Sequence, residues 1–401
     1  MIDRGLYIII NIGSEKKDVK AYIVLERAEL MIAGNGVKNH IYSESNSKSY
    51  NCSYCKNKEF SYGFYSEGII SKEDFNIKND KNEINVIHNM KFILGTKSVY
   101  NEPFEGAVGM HLPFYDSEID YNLIISLKKA NATNSYYWYF DFTESKMIID
   151  GFPHHLNKKK YNPDNFIETN TLSGGYYIIW GLKFSEIYYD NLNINMSSIE
   201  IVDVTIRFDY EFIEAPEQTL YILEEKFFSE YYKKNICFKE SLGNYKQSFI
   251  YCKNVEEFDN TKFKNIYFKS NDLKTIFELN YQDLFYIKGD YTYFLILFKG
   301  VSWTFGQIFL EKYYLVFNQD KHTIGYYQNI IEKDEKQSNF NFNLTHILLI
   351  LILVSVIIVG IILYTKKGKR KNRANELDDN YEYNEKINDT ENDNNRIIDS
   401  N

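Results

Sequence analysis

The apolar positions of this chain fall in short runs separated by polar turns, a pattern of strands more than of helices. Residues 5–13 (GLYIIINIG) read as a strand ending at Gly13, and residues 18–32 continue as a second strand pair. Residues 42–55 form a polar loop, residues 135–149 are aromatic and strand-like, and residues 176–182 (YYIIWGL) open a further strand. Between these, residues 151–170 are polar and carry Pro153 and Pro163, which suits a boundary between two halves near 150–172. One stretch has helical spacing: after Pro216, Leu220, Leu223, Phe227 and Tyr231 share one face of residues 217–232. In residues 302–327, Phe309, Tyr313, Tyr314, Val316 and Phe317 predict a strand-rich aromatic segment. A turn follows at residues 318–320, and Ile324-Gly325-Tyr326 starts a second short strand.

The pattern changes near the C-terminus. Residues 347–364 (ILLILILVSVIIVGIILY) are eighteen uncharged residues, preceded by Thr345 and His346, about enough to span a bilayer. Lys366, Lys367, Lys369, Arg370, Lys371 and Arg373 follow at once, so the positive-inside bias predicts a cytosolic C-terminus and an ectodomain on the other side. Residues 331–344 are a polar stalk, and the acidic tail beyond the basic cluster is disordered by composition. At the other end, the apolar patch of MIDRGLYIIINIGSEKK is too short for a signal-peptide core, which raises the expectation that an export signal lies upstream of Met1.

Composition sharpens this picture in three ways. With 44% hydrophobic residues, 36 Tyr and 29 Phe against 5 Pro, the 401 residues can build a large β-rich core. The net charge of −9 argues against nucleic acid as the partner, because phosphate binding needs a basic surface. Cys52 and Cys55 are close neighbours, and Cys237 and Cys252 close a longer loop. A zinc site at Cys52-x-x-Cys55 would need a second such pair or nearby His, so two local disulfides in an oxidising compartment are expected, with free thiols as the alternative. His154-His155 is a vicinal pair in a polar loop, expected to be solvent-exposed. Gly13-Ser14 and Ser173-Gly174-Gly175 do not make a phosphate loop. No metal and no cofactor is expected. Among the sequons, Asn131 and Asn195 are the glycosylation positions an exported ectodomain would use.

Several of these stretches resemble the pepsin-like aspartic peptidase family. Residues 302–327 are similar to its W-I-L-G-D-x-F-x-x-x-Y-Y-x-V-F-D…I-G signature through Trp303, Gly306, Phe309, Tyr313, Tyr314, Val316, Phe317, Ile324 and Gly325. Residues 104–110 (FEGAVGM) resemble F-D-G-I-L-G-L, so that Ala107-Val108-Gly109 and Thr304-Phe305-Gly306 form a matched pair, one per lobe. Residues 60–77 resemble the flap hairpin, with Tyr62, Gly63, Ser66 and Gly68 in place. Cys237 and Cys252 fall where the family has its C-lobe disulfide loop. The resemblance runs over about residues 5–327. It implies an all-β, bilobal pepsin-like fold with a few short helices, an N-terminal lobe over 1–150 and a C-terminal lobe over 151–330. The membrane segment then occupies residues 345–364 and the cytosolic tail residues 365–401.

The chemistry of that family uses two carboxylates that share a proton, each within D-[ST]-G. Here the motifs are rewritten. Setting Gly13 and Leu30-Met31-Ile32 on the family pattern puts Val24 at the first aspartate, Leu25 at its hydroxyl neighbour and Glu26 at the glycine. Glu26 lies two positions on, about 6–7 Å along an extended strand, too far to replace a dyad carboxylate. For the second motif, counting back from Pro216 lands on Arg207. Asp209 with a deletion and Asp203 with an insertion are the other registers, and none is followed by Ser/Thr-Gly. The resemblance therefore implies a single-pass type I membrane protein that binds a peptide or protein in an inter-lobe cleft as a pseudoprotease. Its ectodomain would face the cell exterior or the lumen of the secretory or endolysosomal pathway. A membrane-bound aspartic endopeptidase and a surface adhesion protein are the alternatives.

Overall fold

The computed structural model describes residues 6–25, 28–38, 40–52, 55, 58–59, 65–78, 83–98, 105–112, 120–174, 177–194, 201–242 and 247–328. All of them belong to one compact unit, Met1–Ile330. The architecture is mostly β-sheet with a few short helices. The apolar run at 347–364 lies outside the described residues, among which no helix is long and apolar enough to cross a membrane.

The first sheet begins with a hairpin. Tyr7–Ile12 and Lys17–Val24 alternate exposed and buried positions, as a half-buried antiparallel pair should. Gly13 and Lys16, both at positive φ, turn the chain between them. Across the sheet the order is Tyr7–Ile12, Lys17–Val24, Gly106–Gly109, Leu30–Ala33, Ile84–Ser98, Tyr65–Lys78 and Asn51–Cys52, with Lys58–Glu59 also pairing to Tyr65–Lys78. The second sheet runs Gly181–Phe184, Val202–Ile206, Trp303–Phe305, Ile213–Ala215, Ile296–Phe298, Gln247–Lys253, Tyr291–Phe294 and Phe285–Lys288, with Cys237–Leu242 added beside Gln247–Lys253.

A third sheet draws strands from before and after the second. Its order is Lys146–Ile149, Tyr137–Asp141, Val316–Asn318, Thr323–Tyr327 and Phe166–Asn170, so the polar segment 151–170 ends in a strand of this sheet. At its centre Trp138 stacks on Phe317 at 4.5 Å and meets Trp180 and Phe208 edge-on. The indole N–H groups are satisfied: Trp138 donates to Gln319 Oε1, and Trp180 donates to the Met110 carbonyl.

Two expectations need correction, and the helix over 217–232 needs refinement. Residues 307–313 are a helix, not part of a strand-rich run, and Phe309 and Tyr313 pack one turn apart on it. Phe309 stacks on Phe305 of the preceding strand, and Tyr314 closes the helix in the left-handed region with its N–H on the Leu310 carbonyl. An aromatic run has both periodicities latent within it, and here helical spacing lets Phe309 and Tyr313 both pack on Phe277. The helix over 217–232 is interrupted by a π-turn, Glu224–Phe228, whose extra residue turns Phe228 inward beside Phe227. Of the histidine pair, His155 is exposed, whereas His154 is half-buried. Its ring stacks on Phe152, and its Nδ1 and backbone N–H both meet the Tyr327 hydroxyl. Burial pushes its pKa below the usual histidine value, with His155 and Lys158 adding to the effect.

Candidate functional site

The first two sheets contain the same four-strand device. In each, a lead strand runs parallel to a threading strand, which runs antiparallel to a return strand, which in turn runs parallel to a flanking strand. The first set is Lys17–Val24, Gly106–Gly109, Leu30–Ala33 and Ile84–Ser98. The second is Val202–Ile206, Trp303–Phe305, Ile213–Ala215 and Ile296–Phe298. The registers can be laid on each other. Ile23 pairs with Val108 and Val24 with Gly109, while Ile206 pairs with Phe305 and Arg207 N–H donates to the Phe305 carbonyl, one step before Gly306. On the return strands, Met31 faces Ala107 and Glu214 faces Thr304. Val24 to Met31 and Arg207 to Glu214 are therefore loops of the same length, and Val24 and Arg207 occupy equivalent positions.

The two equivalent positions differ in chemistry. Val24 is buried with Met31, Ala33, Ile93 and Ala107. Arg207 is half-exposed and grips Asp209: Nε donates to Oδ1 at 3.1 Å and Nη2 to Oδ2 at 2.6 Å. Its guanidinium also lies 5.6 Å from the Tyr210 ring centroid. A bidentate pair of this kind holds a permanent cation against a carboxylate. Arginine does not give up its proton at physiological pH, so Arg207 cannot act as a general acid or base.

Behind the pair, Phe208 is fully buried among Trp138, Phe140 and Phe317. Gln307 Nε2 donates to the Phe208 carbonyl, and Gln307 N–H donates to the Tyr210 carbonyl. Gly306 is what lets the helix start pass so close: a Cβ there would stand 2.1 Å from the Phe212 carbonyl oxygen and 2.4 Å from that of Tyr210. On the other side, Gln247 Nε2 donates to the Tyr210 hydroxyl and to Glu214 Oε1. Burial and then Glu214 push the Tyr210 pKa well above the usual phenol value.

The remaining sequence-derived residues separate into three groups. Asp203 is exposed near the start of its strand, opposite Lys183 and away from the loop. Asp209 is in the loop but is bound to Arg207. Glu26, Tyr62, Gly63 and Asn195 lie outside the described residues, although the hairpin arms below residues 60–64 pair through Lys58–Gly68 and Glu59–Glu67. Both cysteine pairs, Cys52–Cys55 and Cys237–Cys252, sit at disulfide distance. Asn131 is exposed in a left-handed turn after the helix Leu123–Lys129. Sequence reasoning did not single out Phe208, Tyr210 or Gln307. Counting seven residues from each lead-strand end to its return strand was the signal available for finding them. No protein-family model matches this chain, and no curated protein matches it.

Proposed function

We propose that this chain is a membrane-anchored pseudoprotease of pepsin-like architecture that holds a peptide or protein segment between its two halves. The observation that carries the reading is the equivalence of Val24 and Arg207. An aspartic peptidase needs an acid at both places, and here one is a buried aliphatic side chain and the other a cation already paired to Asp209. The repeated four-strand device, the third sheet built from strands on either side of the second, and the close approach at Gly306 support the pepsin-like part of the reading. The apolar run 347–364 with its basic flank supports a single membrane span with a cytosolic tail. The cysteine pairs support an extracellular or lumenal ectodomain, in which Asn131 is an accessible glycan acceptor. The acidic net charge disfavours nucleic acid.

The test is hydrolysis. The full-length chain, incubated with a diverse peptide mixture between about pH 3 and 7, is expected to release no new termini by mass spectrometry. Cleavage that pepstatin blocks would overturn the reading in favour of an active endopeptidase.

A further inference from the structure

We infer that the free edge of strand Cys237–Leu242 docks an extended peptide segment of a partner, one carrying an aromatic residue and, two positions away, a basic one. The inference concerns a surface apart from the Val24 and Arg207 loops and does not depend on their reading.

Cys237 and Cys252 face each other with Cα atoms 3.9 Å apart, the close spacing of an antiparallel pair that exchanges no backbone hydrogen bonds. One step away the pattern alternates as it should, with Lys253 N–H donating to the Ile236 carbonyl at 2.8 Å. Phe238 and Glu240 therefore bond inward to Tyr251 and Phe249, and the N–H and C=O of Lys239 and Ser241 point outward. Both residues are exposed, and none of these four groups meets a partner among the described residues.

Natural edges are commonly guarded by a lysine. Here Lys239 is drawn aside, its ammonium 2.8 Å from Glu224 on the neighbouring helix. That helix does not close the edge either. At the π-turn a depression of about 520 Å³ lies between helix and strand, lined by Glu224, Ser229, Tyr232, Phe238 and Lys239 among others. The edge thus offers unspent backbone donors and acceptors with room beside them, which is what strand addition requires.

Side chains specify the occupant. Phe238, Tyr251, Tyr293 and Tyr286 form one cross-strand row on the half-exposed face of the sheet, with Phe238–Tyr251 stacked at 5.4 Å and Tyr251–Tyr293 at 6.1 Å. The row stops at Phe238 because the strand is the edge. A docked aromatic residue opposite Phe238 extends it, and cross-strand aromatic pairs are favourable. Two positions along the same face, exposed Glu240 accepts a hydrogen bond from the Tyr251 hydroxyl on one carboxylate oxygen, and its negative charge at this edge favours a lysine or arginine on the docked segment.

The experiment uses the full-length chain and a short acetylated, amidated peptide of valine and threonine with one tyrosine and, two positions on, one lysine. Hydrogen exchange of the free protein is expected to be fast at the Lys239 and Ser241 amides and slow at Phe238 and Glu240. Saturating peptide should slow the first two roughly tenfold. N-methylating the alternate peptide amides that face the edge should abolish binding, and N-methylating the other set should not. Exchanging the peptide lysine for glutamate should weaken binding about tenfold. Ser241→Pro, which removes an outward donor without touching the inner ladder, should lose the peptide and keep its melting temperature. Unchanged exchange at saturating peptide, or equal binding by both N-methylated series, overturns the proposal. The second result does so even where Ser241→Pro fails to fold.

Discussion

The loop from Val24 to Met31 and the loop from Arg207 to Glu214 have the same length and the same ladder neighbours, yet they are held in opposite ways. The first begins in an aliphatic pocket, with Val24 against Met31 and Ala107. The second begins half-exposed with an ion pair and is anchored one residue later, where Phe208 enters the aromatic cluster around Trp138. A backbone device of fixed geometry can thus be stabilised by unrelated side-chain chemistry. What the device requires is the close crossing of threading and return strands, and that requirement falls on glycine.

The comparison can be broken most forcefully at Gly306. Gly306→Ala is expected to cost more than about 3 kcal/mol, since its Cβ would meet the backbone carbonyl oxygens of Tyr210 and Phe212, the first already held by the Gln307 N–H. Chemical denaturation of the variant checks this, and a loss below about 1 kcal/mol would mean that the loop yields easily.

Next comes the asymmetry of the anchors. Phe208→Ala should destabilise by about 3–5 kcal/mol, because it leaves a hole against Trp138, Phe140 and Phe317. Leu25→Ala, the equivalent change at a half-buried position, should cost about 1–2 kcal/mol. Equal losses at the two sites would remove the distinction drawn between the loops.

A smaller effect is expected at the ion pair. Arg207→Gln leaves the Asp209 carboxylate without its bidentate partner, but both side chains are partly exposed, so solvent screening limits the loss to about 1 kcal/mol. That loss should shrink as salt is added. A salt-independent penalty would point to packing of the Arg207 stem instead.

The smallest effect is a pH dependence confined to the second loop. The folded-state pKa of Tyr210 lies above that of the unfolded chain, so its stabilising share is complete below about pH 10 and is lost as pH rises beyond that. The stability difference between wild type and Tyr210→Phe should therefore change only above about pH 10, with wild type losing ground. An unchanged difference through pH 11, read from melting curves, would show the hydroxyl to be solvated.

Much of the fold was legible because it depends on local pattern. The alternating residues before Val24, the run at 217–232 behind Pro216 and the cysteine spacings all appear in the structure near where their periodicity or spacing places them. The two hydrophobic-hydrophobic-glycine steps were legible as well, as the threading strands Gly106–Gly109 and Trp303–Phe305 with Gly306 after it. The second loop was not. Arg207, Asp209 and Asp203 are all close to Pro216 in sequence, and nothing local ranks them.

The sequence by itself determined a β-rich chain with two glycine steps, two cysteine pairs and no acid at position 24, since these follow from residue identity and short-range spacing. The tertiary structure decided which residue stands opposite which. It put Arg207 in step with Val24, sent Phe208 into the Trp138 cluster, turned residues 307–313 into a helix and packed half-buried His154 against Tyr327. These outcomes depend on pairing between segments far apart in the chain, whose register is set by hydrogen bonds and packing that no local window contains.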